Sequence, residues 1–244
     1  MRIDAVFFDA GSTIIYPEPS VGAVYADALA REGLRAEPQQ AEEAFAAACR
    51  RLRDALPPGR LEYGRTEAEA MDWWRGVTAE SAAPFGRPGA PERLFRRLWN
   101  HFIHPQAWRI YGDVLPVFAA LRAAGRGVGL ISNWDTRLPA LLDELDLSRR
   151  FDWVHVSCLV GAEKPDPAIF RRALVQSGLP AERALHVGDS YRDDVAGALA
   201  AGMHAAWLRR DGAHEALDGD EGAPDGDVLT VRSLDELVGC VLGR

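Results

Sequence analysis

Apolar side chains recur at helical spacing from Ser20 to Ala107, and no strand-like alternation interrupts them. Four helices are predicted, separated by proline- and glycine-rich breaks that include 57–59 and 84–91. Their apolar faces are Val24, Ala28 and Leu29; Ala44, Phe45, Ala48, Cys49 and Leu52; Met71, Trp74 and Val77; and Leu94, Phe95, Leu98, Trp99 and Phe102. The pattern predicts a small all-helical domain over residues 17–107.

Short apolar runs and amphipathic stretches alternate in the rest of the chain. Strands are predicted at 5–8, 127–131, 153–157, 184–187, 204–208 and 228–231, and helices at 113–124, 138–145, 167–177, 195–201 and 234–241. Strands that alternate with helices form βαβ units and a mainly parallel sheet. The predicted fold is therefore α/β, with a Rossmann-like core of residues 1–16 and 108–244 and the helical domain inserted. The acidic, glycine-rich stretch 211–227 is interpreted as a surface loop.

Composition narrows the classes of partner. The chain has 244 residues, of which 48% are hydrophobic, enough for one α/β core and a smaller domain. A formal net charge of -8 argues against nucleic acid or an anionic membrane as a partner. Cys49, Cys158 and Cys240 match neither a disulfide framework nor a zinc site. With no signal peptide and no apolar run of membrane-span length, we expect a cytoplasmic protein, as a monomer or weak homodimer.

Candidate chemistry lies at the ends of the predicted strands. Asp9 follows the first apolar strand, and a Gly-Ser-Thr turn comes directly after it. In open α/β sheets, ligands bind at the carboxyl ends of the strands. Ser132 and Asn133 follow the next strand of the core, and their polar groups suit a phosphate oxygen, although such residues also cap helices. We expect these residues to meet at one edge of the sheet.

Two further motifs supply a cation and more carboxylates. Lys164 precedes a Pro-Asp-Pro helix start, where it could pair with a carboxylate and a phosphate; a solvated surface lysine is the alternative. Asp189 closes an apolar strand, and Asp194 follows about one turn later. Asp9 and Asp189 could share Mg²⁺, which takes one or two carboxylates together with water and substrate phosphate. Asp193 is interpreted as a helix N-terminal acid.

Taken in order, these motifs resemble the haloacid dehalogenase-like hydrolase superfamily. Its phosphatases carry a strand ending in Asp-x-Asp, then Ser or Thr, then Lys, then Gly-Asp-x-x-x-x-Asp, matched here by Asp9, Ser132, Lys164, Gly188, Asp189 and Asp194. The details look closest to the domain-containing-protein-3-like branch. The resemblance runs from about residue 4 to 210, and it makes the helical insert a cap domain of the C1 type found in subfamily I.

The resemblance implies a mechanism. Asp9 would form an aspartyl-phosphate, with Mg²⁺ held by Asp9, the Gly11 carbonyl and Asp189, and with Asp194 supporting the metal site. Ser132 and Lys164 would bind the phosphoryl oxygens of a small phosphorylated substrate. The residues expected to contact the substrate without catalysing are Ser12, Asn133, Trp134 and Asp135. The family also suggests a cis peptide before Pro165.

Gly11 departs from the family pattern, because phosphatases of this family have a general acid there. Positioned acid–base catalysis contributes about 10²–10⁴-fold, so poor leaving groups should react slowly. Asp135, His101 and His104 are the candidate substitutes.

The departure from the family acid keeps other functions open. One alternative is a non-catalytic phosphate- or Mg²⁺-binding protein that acts through protein contacts. A haloacid dehalogenase fits less well, because that branch lacks the metal carboxylate. A phosphonate hydrolase would need a lysine in the cap, which has arginines instead. Arg209 and Arg210 are interpreted as a solvated strand end.

Overall fold

The computed structural model describes residues 2–86, 92–210 and 228–243. Its strands are β1 (Ala5–Phe8), β2 (Ile15–Pro17), β3 (Trp108–Ile110), β4 (Gly127–Ser132), β5 (Trp153–Val156), β6 (Ala184–Gly188), β7 (His204–Leu208) and β8 (Leu229–Val231). Its α-helices are α1 (Val21–Ala30), α2 (Pro38–Asp54), α3 (Glu67–Ala82), α4 (Glu92–Phe102), α5 (Val114–Ala123), α6 (Leu138–Glu144), α7 (Ser157–Val160), α8 (Pro167–Ser177), α9 (Gly197–Ala200) and α10 (Leu234–Leu242). The predicted loop at 211–227 lies outside the described residues, as does most of the break at 84–91.

Six strands form one parallel sheet in the order β5-β4-β1-β6-β7-β8. In the centre of the sheet, Phe8 of β1 is in register with Leu130 of β4 and with Val187 of β6. These strands are buried on both faces, which explains why they are continuous apolar runs in the sequence. The predicted α/β fold with a Rossmann-like parallel core is confirmed.

The core of the sheet shows close packing between neighbouring strands. Phe7 is fully buried, and its ring lies against Gly129, where any Cβ would overlap it. The Phe7 ring also stacks on Trp153, with the two centroids 5.7 Å apart. One helix packed on this core, α8, begins as its sequence predicts: Asp166 accepts a hydrogen bond from the Ala168 amide at 2.8 Å and proline follows at the first helical position.

The chain divides into two compact units. Residues 1–16, 110–134 and 138–244 form one, and residues 17–109 and 135–137 form the other. The sequence assigned 108–109 and 135–137 to the sheet-bearing domain, whereas the structure groups them with the helices. Asp135 explains part of this difference, because its carboxylate accepts a 2.8 Å hydrogen bond from Trp74 Nε1 of α3.

The helical unit contains α1 to α4, as the sequence predicts, and α3 is closed at its start by a capping box between Thr66 and Glu69. The predicted apolar face of α3 is incomplete, because it leaves out Trp73. Trp73 and Val77 are buried, while Met71 and Trp74 are half-buried and pack against a smaller cluster formed by Ala70, Phe95 and Trp99. Because α3 packs on two sides, a single apolar stripe does not describe it.

Other elements differ from the sequence prediction. The short strands β2 and β3 pair as a separate two-stranded sheet, and α7 starts at Ser157, the last residue of the strand predicted at 153–157. The helix predicted from Val195 instead begins as a π-helical turn over Tyr191–Ala196. None of the helices among the described residues is long and apolar enough to span a bilayer.

Candidate active site

The carboxyl ends of three neighbouring strands bring the candidate residues together. Asp9 follows β1, Ser132 ends β4, and Asp189 follows β6, and these strands lie side by side in the sheet. The Asp9 amide extends the pairing by donating to the Val187 carbonyl at 2.9 Å. Parallel alignment therefore places residues more than 50 positions apart in the sequence on one edge of the sheet.

Lys164 forms the centre of the hydrogen-bond network at this edge. Its ammonium donates to Asp9 Oδ1 and to Asp194 Oδ1, each at 2.6 Å, and its side chain is only 3% exposed. It is the only lysine in the chain. The alternative of a solvated surface lysine is therefore wrong. The peptide between Lys164 and Pro165 is cis, as expected.

Asp194 is held by a second set of partners. His186 Nε2 lies 2.7 Å from Asp194 Oδ1, and the Ser190 amide donates to Asp194 Oδ2 at 3.1 Å. Gly188 permits this arrangement, because a Cβ there would overlap the Asp194 carboxyl group. The π-helical turn contains Asp194, and such turns are frequent at functional sites. Asp194 is thus fixed as a partner of Lys164.

Asp189 is supported from two further segments. Thr13 Oγ1 donates to Asp189 Oδ1 at 3.3 Å, and Trp207 Nε1 donates to the Asp189 carbonyl at 2.9 Å. Thr13 is fully buried in the turn that follows Asp9. Asp189 is therefore held at its carboxylate by the turn after Asp9 and at its backbone by β7.

Burial and charge act in opposite directions on the acidic groups. Burial raises the pKa of Asp9, which Lys164 partly offsets, and burial with the neighbouring carboxylates raises the pKa of Asp189 well above its usual range. Burial opposes ionisation of Asp194 too, but Lys164 and His186 lower its pKa overall. Burial likewise disfavours the Lys164 ammonium, yet Asp194 and Asp9 together raise its pKa. The site therefore has more buried carboxylates than Lys164 alone neutralises.

The residues present fit a magnesium ion. Asp9, Asp189 and Asp194 each offer one carboxylate oxygen, and these atoms lie within 4.8 Å of one another. Hard oxygen donors are the ligands that Mg²⁺ prefers, and a divalent cation would relieve the repulsion that raises the pKa of Asp9 and Asp189. Because Asp194 is already bonded to Lys164 and His186, Asp9 and Asp189 are the better suited ligands.

Ser132 and Asn133 take different positions. The Ser132 hydroxyl is buried and near enough to Asp9 to lower the pKa of that carboxyl, yet no described atom completes a well-formed hydrogen bond with it. Asn133 binds the backbone of Lys164 at both ends of its amide: Nδ2 donates to the carbonyl at 2.8 Å, and Oδ1 accepts from the N–H at 2.7 Å. Asn133 thus positions Lys164.

The turn after Asp9 places Gly11 beside an indole ring. A Cβ built on Gly11 would lie 3.4 Å from Trp134 Cζ3, an ordinary van der Waals contact. The Trp134 backbone is anchored by Ser157, whose hydroxyl is 3.1 Å from both the amide and the carbonyl of Trp134. Ser12 has a left-handed φ of 55°, and its amide donates to the Ile15 carbonyl at 2.9 Å. The Ser12 N–H is therefore already used within the turn.

Asp135, a candidate substrate contact and substitute acid, is fully buried with both oxygens engaged. Arg137 donates to Oδ1 at 2.9 Å and to Oδ2 at 2.6 Å, and Trp74 also donates to Oδ2. The Arg137 guanidinium in turn lies 3.9 Å from the centroid of the Trp99 ring. This arrangement gives Asp135 a structural role in the helical unit.

Four residues of this network were not predicted as site residues: Thr13, His186, Trp207 and Arg210, which donates a hydrogen bond to the Thr13 carbonyl. The prediction that Arg210 is solvated is wrong, because its side chain is 10% exposed and paired with Asp113. His186 carries a sequence signal, since a histidine in an otherwise apolar buried strand needs a polar partner. For the other three residues, the partners come from distant segments.

Comparison with known proteins agrees with this geometry. The family model of haloacid dehalogenase-like hydrolases matches residues 3–202. Haloacid dehalogenase-like hydrolase domain-containing protein 3 of Danio rerio is 33% identical over 95% of this chain and 93% of its own. Phosphoserine phosphatase of Thermus thermophilus is 33% identical over 61% of each chain.

Two solved structures resemble this fold over nearly the full length. A HAD phosphatase from Thermococcus onnurineus has a TM-score of 0.63 and 27% identity, covering 100% of this chain and 98% of its own. A 2-haloacid dehalogenase from Pseudomonas syringae has a TM-score of 0.61 and 26% identity, covering 99% of each chain. Phosphatases and a dehalogenase therefore share this fold. On the family match and the full-length relatives, the chain belongs to the haloacid dehalogenase-like hydrolases, in the branch of domain-containing protein 3.

Proposed function

We propose that this hydrolase is a Mg²⁺-dependent phosphatase of small phosphorylated metabolites, with Asp9 as its nucleophile. The observation that carries the proposal is the position of Lys164, whose ammonium bonds to Asp9 and Asp194 at 2.6 Å each. A fixed cation beside a nucleophilic carboxylate suits the binding of a transferring phosphoryl group.

The residues divide the work as follows. Lys164 binds Asp9 Oδ1, which leaves the other Asp9 oxygen to attack phosphorus as the bond to the leaving-group oxygen breaks. The buried Ser132 hydroxyl and the Lys164 ammonium are the donors for the phosphoryl oxygens. Water then attacks phosphorus, the bond between phosphorus and the Asp9 oxygen breaks, and inorganic phosphate leaves with the proton released by the water, which restores the Asp9 carboxylate. Mg²⁺, held by Asp9, Asp189 and the Gly11 carbonyl, would neutralise the negative charge of the two reacting anions.

Gly11 determines which leaving groups react well. A glycine supplies no proton to a departing alkoxide, and Asp135 is fully committed to Arg137 and Trp74. Acyl and aryl phosphates leave as weakly basic anions, so they need little protonation. The substrate class that fits this site best is therefore a small acyl phosphate or aryl phosphate.

Two other functions compete with this proposal. A phosphate- or Mg²⁺-binding protein without catalysis would not need Asp9 to face a buried lysine. A haloacid dehalogenase shares the fold, but its reaction does not need a metal-binding carboxylate. This chain has one at Asp189, held in place by the Thr13 hydroxyl. A dehalogenase would release a halide ion instead of phosphate, and a binding protein would release neither.

The test is the release of inorganic phosphate from acetyl phosphate, p-nitrophenyl phosphate and glycerol phosphate, with Mg²⁺ or with EDTA. The proposal expects Mg²⁺-dependent release that follows the order acyl, aryl, alkyl and that disappears in Asp9→Asn. Gly11→Asp should raise the alkyl rate by about 10²-fold or more and leave the acyl rate nearly unchanged. No release from any substrate would support the binding protein, and chloride release from 2-chloropropionate would support the dehalogenase.

A further inference from the structure

Arg210 forms a buried ion pair at the end of β7. Its guanidinium grips the Asp113 carboxylate with two parallel hydrogen bonds of 2.9 Å, and both side chains are 10% exposed. The same guanidinium lies 3.8 Å from the centroid of the Tyr111 ring. Planar, two-point contacts of this kind are specific to arginine. The geometry is that of a fixed side chain.

The third hydrogen bond of the Arg210 guanidinium connects it to the turn after Asp9. Arg210 Nη2 also donates to the Thr13 carbonyl at 2.9 Å. The Thr13 hydroxyl, in turn, donates to Asp189 Oδ1 at 3.3 Å. One residue thus separates the guanidinium from a carboxylate of the acidic cluster.

Asp113 is held in place from its other side. Its Oδ2 accepts a 2.9 Å hydrogen bond from the Leu234 amide at the start of α10. Burial opposes ionisation of Asp113, but Arg210 and the Leu234 amide lower its pKa overall. Arg210 is therefore fixed by Asp113, which the Leu234 amide holds in turn, and in this fixed position it donates to the Thr13 carbonyl.

We propose that Arg210 is a positioning residue for the metal-binding carboxylates: by holding the Thr13 carbonyl, it orients the turn after Asp9 and, through the Thr13 hydroxyl, Asp189. The inference rests on the proposed function, because it takes Asp9 and Asp189 as the ligands of Mg²⁺. Groups that orient metal ligands typically change metal affinity by about 10–100-fold when they are altered.

Arg210→Lys is the informative substitution. Lysine keeps the positive charge, but it lacks the planar fork that spans Asp113 and Thr13 at the same time. We expect the dissociation constant for Mg²⁺, measured by isothermal titration calorimetry without substrate, to rise about 10-fold.

Arg122→Lys is the matched control. Arg122 also bonds to a backbone carbonyl and a carboxylate, those of Arg150 and Asp152, at 2.7 and 3.1 Å. Asp152 accepts a hydrogen bond from Val128 near the start of β4, at the edge of the sheet opposite the site. A purely structural loss would affect the thermal midpoints of both variants and leave Mg²⁺ affinity unchanged in each.

A double-mutant cycle with Thr13→Val tests the route. If Arg210 acts through Thr13, Arg210→Lys adds less than twofold to the loss of Mg²⁺ affinity already caused by Thr13→Val. Independent, multiplying losses would overturn the proposed route, and unchanged affinity in folded Arg210→Lys would overturn the proposal itself. If the wild-type protein binds no Mg²⁺, the metal site of the proposed function fails instead.

Discussion

Replacing Lys164 with methionine removes the cation that bonds to both Asp9 and Asp194. The acidic oxygens of Asp9, Asp189 and Asp194 lie within 4.8 Å of one another. At that separation, two carboxylates repel each other by about 3.5 kcal/mol for an effective dielectric constant of about 20. Loss of one partner of a buried ion pair costs about 3–5 kcal/mol. We therefore expect Lys164→Met to lower the unfolding free energy by about 3–5 kcal/mol at neutral pH without Mg²⁺.

Thermal unfolding followed by circular dichroism measures this loss. For a chain of this size, the expected decrease corresponds to a midpoint lower by roughly 6–20 °C. The gap between variant and wild type should narrow as pH falls, because protonation removes the repulsion. It should also narrow on addition of Mg²⁺. A midpoint within about 2 °C of wild type in EDTA at neutral pH would refute the reasoning.

Three further predictions concern local features. Gly188→Ala should reduce phosphatase activity at least about 10-fold, because the new Cβ overlaps Asp194. The control is Gly112→Ala, whose Cβ meets no atom within 4 Å, and its activity in the same assay should stay close to that of wild type. Burial opposes the charge of Lys164, but Asp194 and Asp9 together raise its pKa. In protein labelled with ¹⁵N-lysine, the side-chain NMR signal of Lys164 should therefore remain that of an ammonium through about pH 10.4, the usual pKa of lysine. A titration midpoint at or below about pH 10.4 would contradict the ion pairs. Burial lowers the pKa of His155, so the contribution of this histidine to stability is complete above about pH 6.5 and is lost as pH falls. In His155→Leu, the unfolding free energy should therefore fall less steeply between about pH 6.5 and 5 than in wild type. An unchanged slope would exclude this cause.

The sheet and its candidate residues were predictable because local sequence determines them. Buried parallel strands require continuous apolar runs, and the carboxyl ends of these runs bear Asp9, Ser132 and Asp189. The strand ends need only short stretches of sequence and the rule that parallel strands end at one edge. The pairing of Lys164 with a carboxylate was one of two alternatives from its own motif, and the resemblance to the family favoured it over a solvated surface lysine.

The remaining features depend on contacts between distant segments. Arg210 reaches Thr13 and Asp113, about 200 and 100 residues away, and no local pattern distinguishes it from its exposed neighbour Arg209. The contact between Asn133 and Lys164 likewise links two loops that are 31 residues apart. Such pairings follow from how the elements pack, which hydrophobic periodicity does not specify.

The most direct test of the central claim is to trap the phosphorylated enzyme. Protein incubated with acetyl phosphate and Mg²⁺ would be quenched in acid, digested and analysed by mass spectrometry, with Asp9→Asn treated in parallel. The account predicts one added phosphoryl group on the peptide that contains Asp9, absent from the variant and from samples in EDTA. Mg²⁺-dependent phosphate release without such an adduct, or with an adduct on another residue, would contradict Asp9 as the nucleophile.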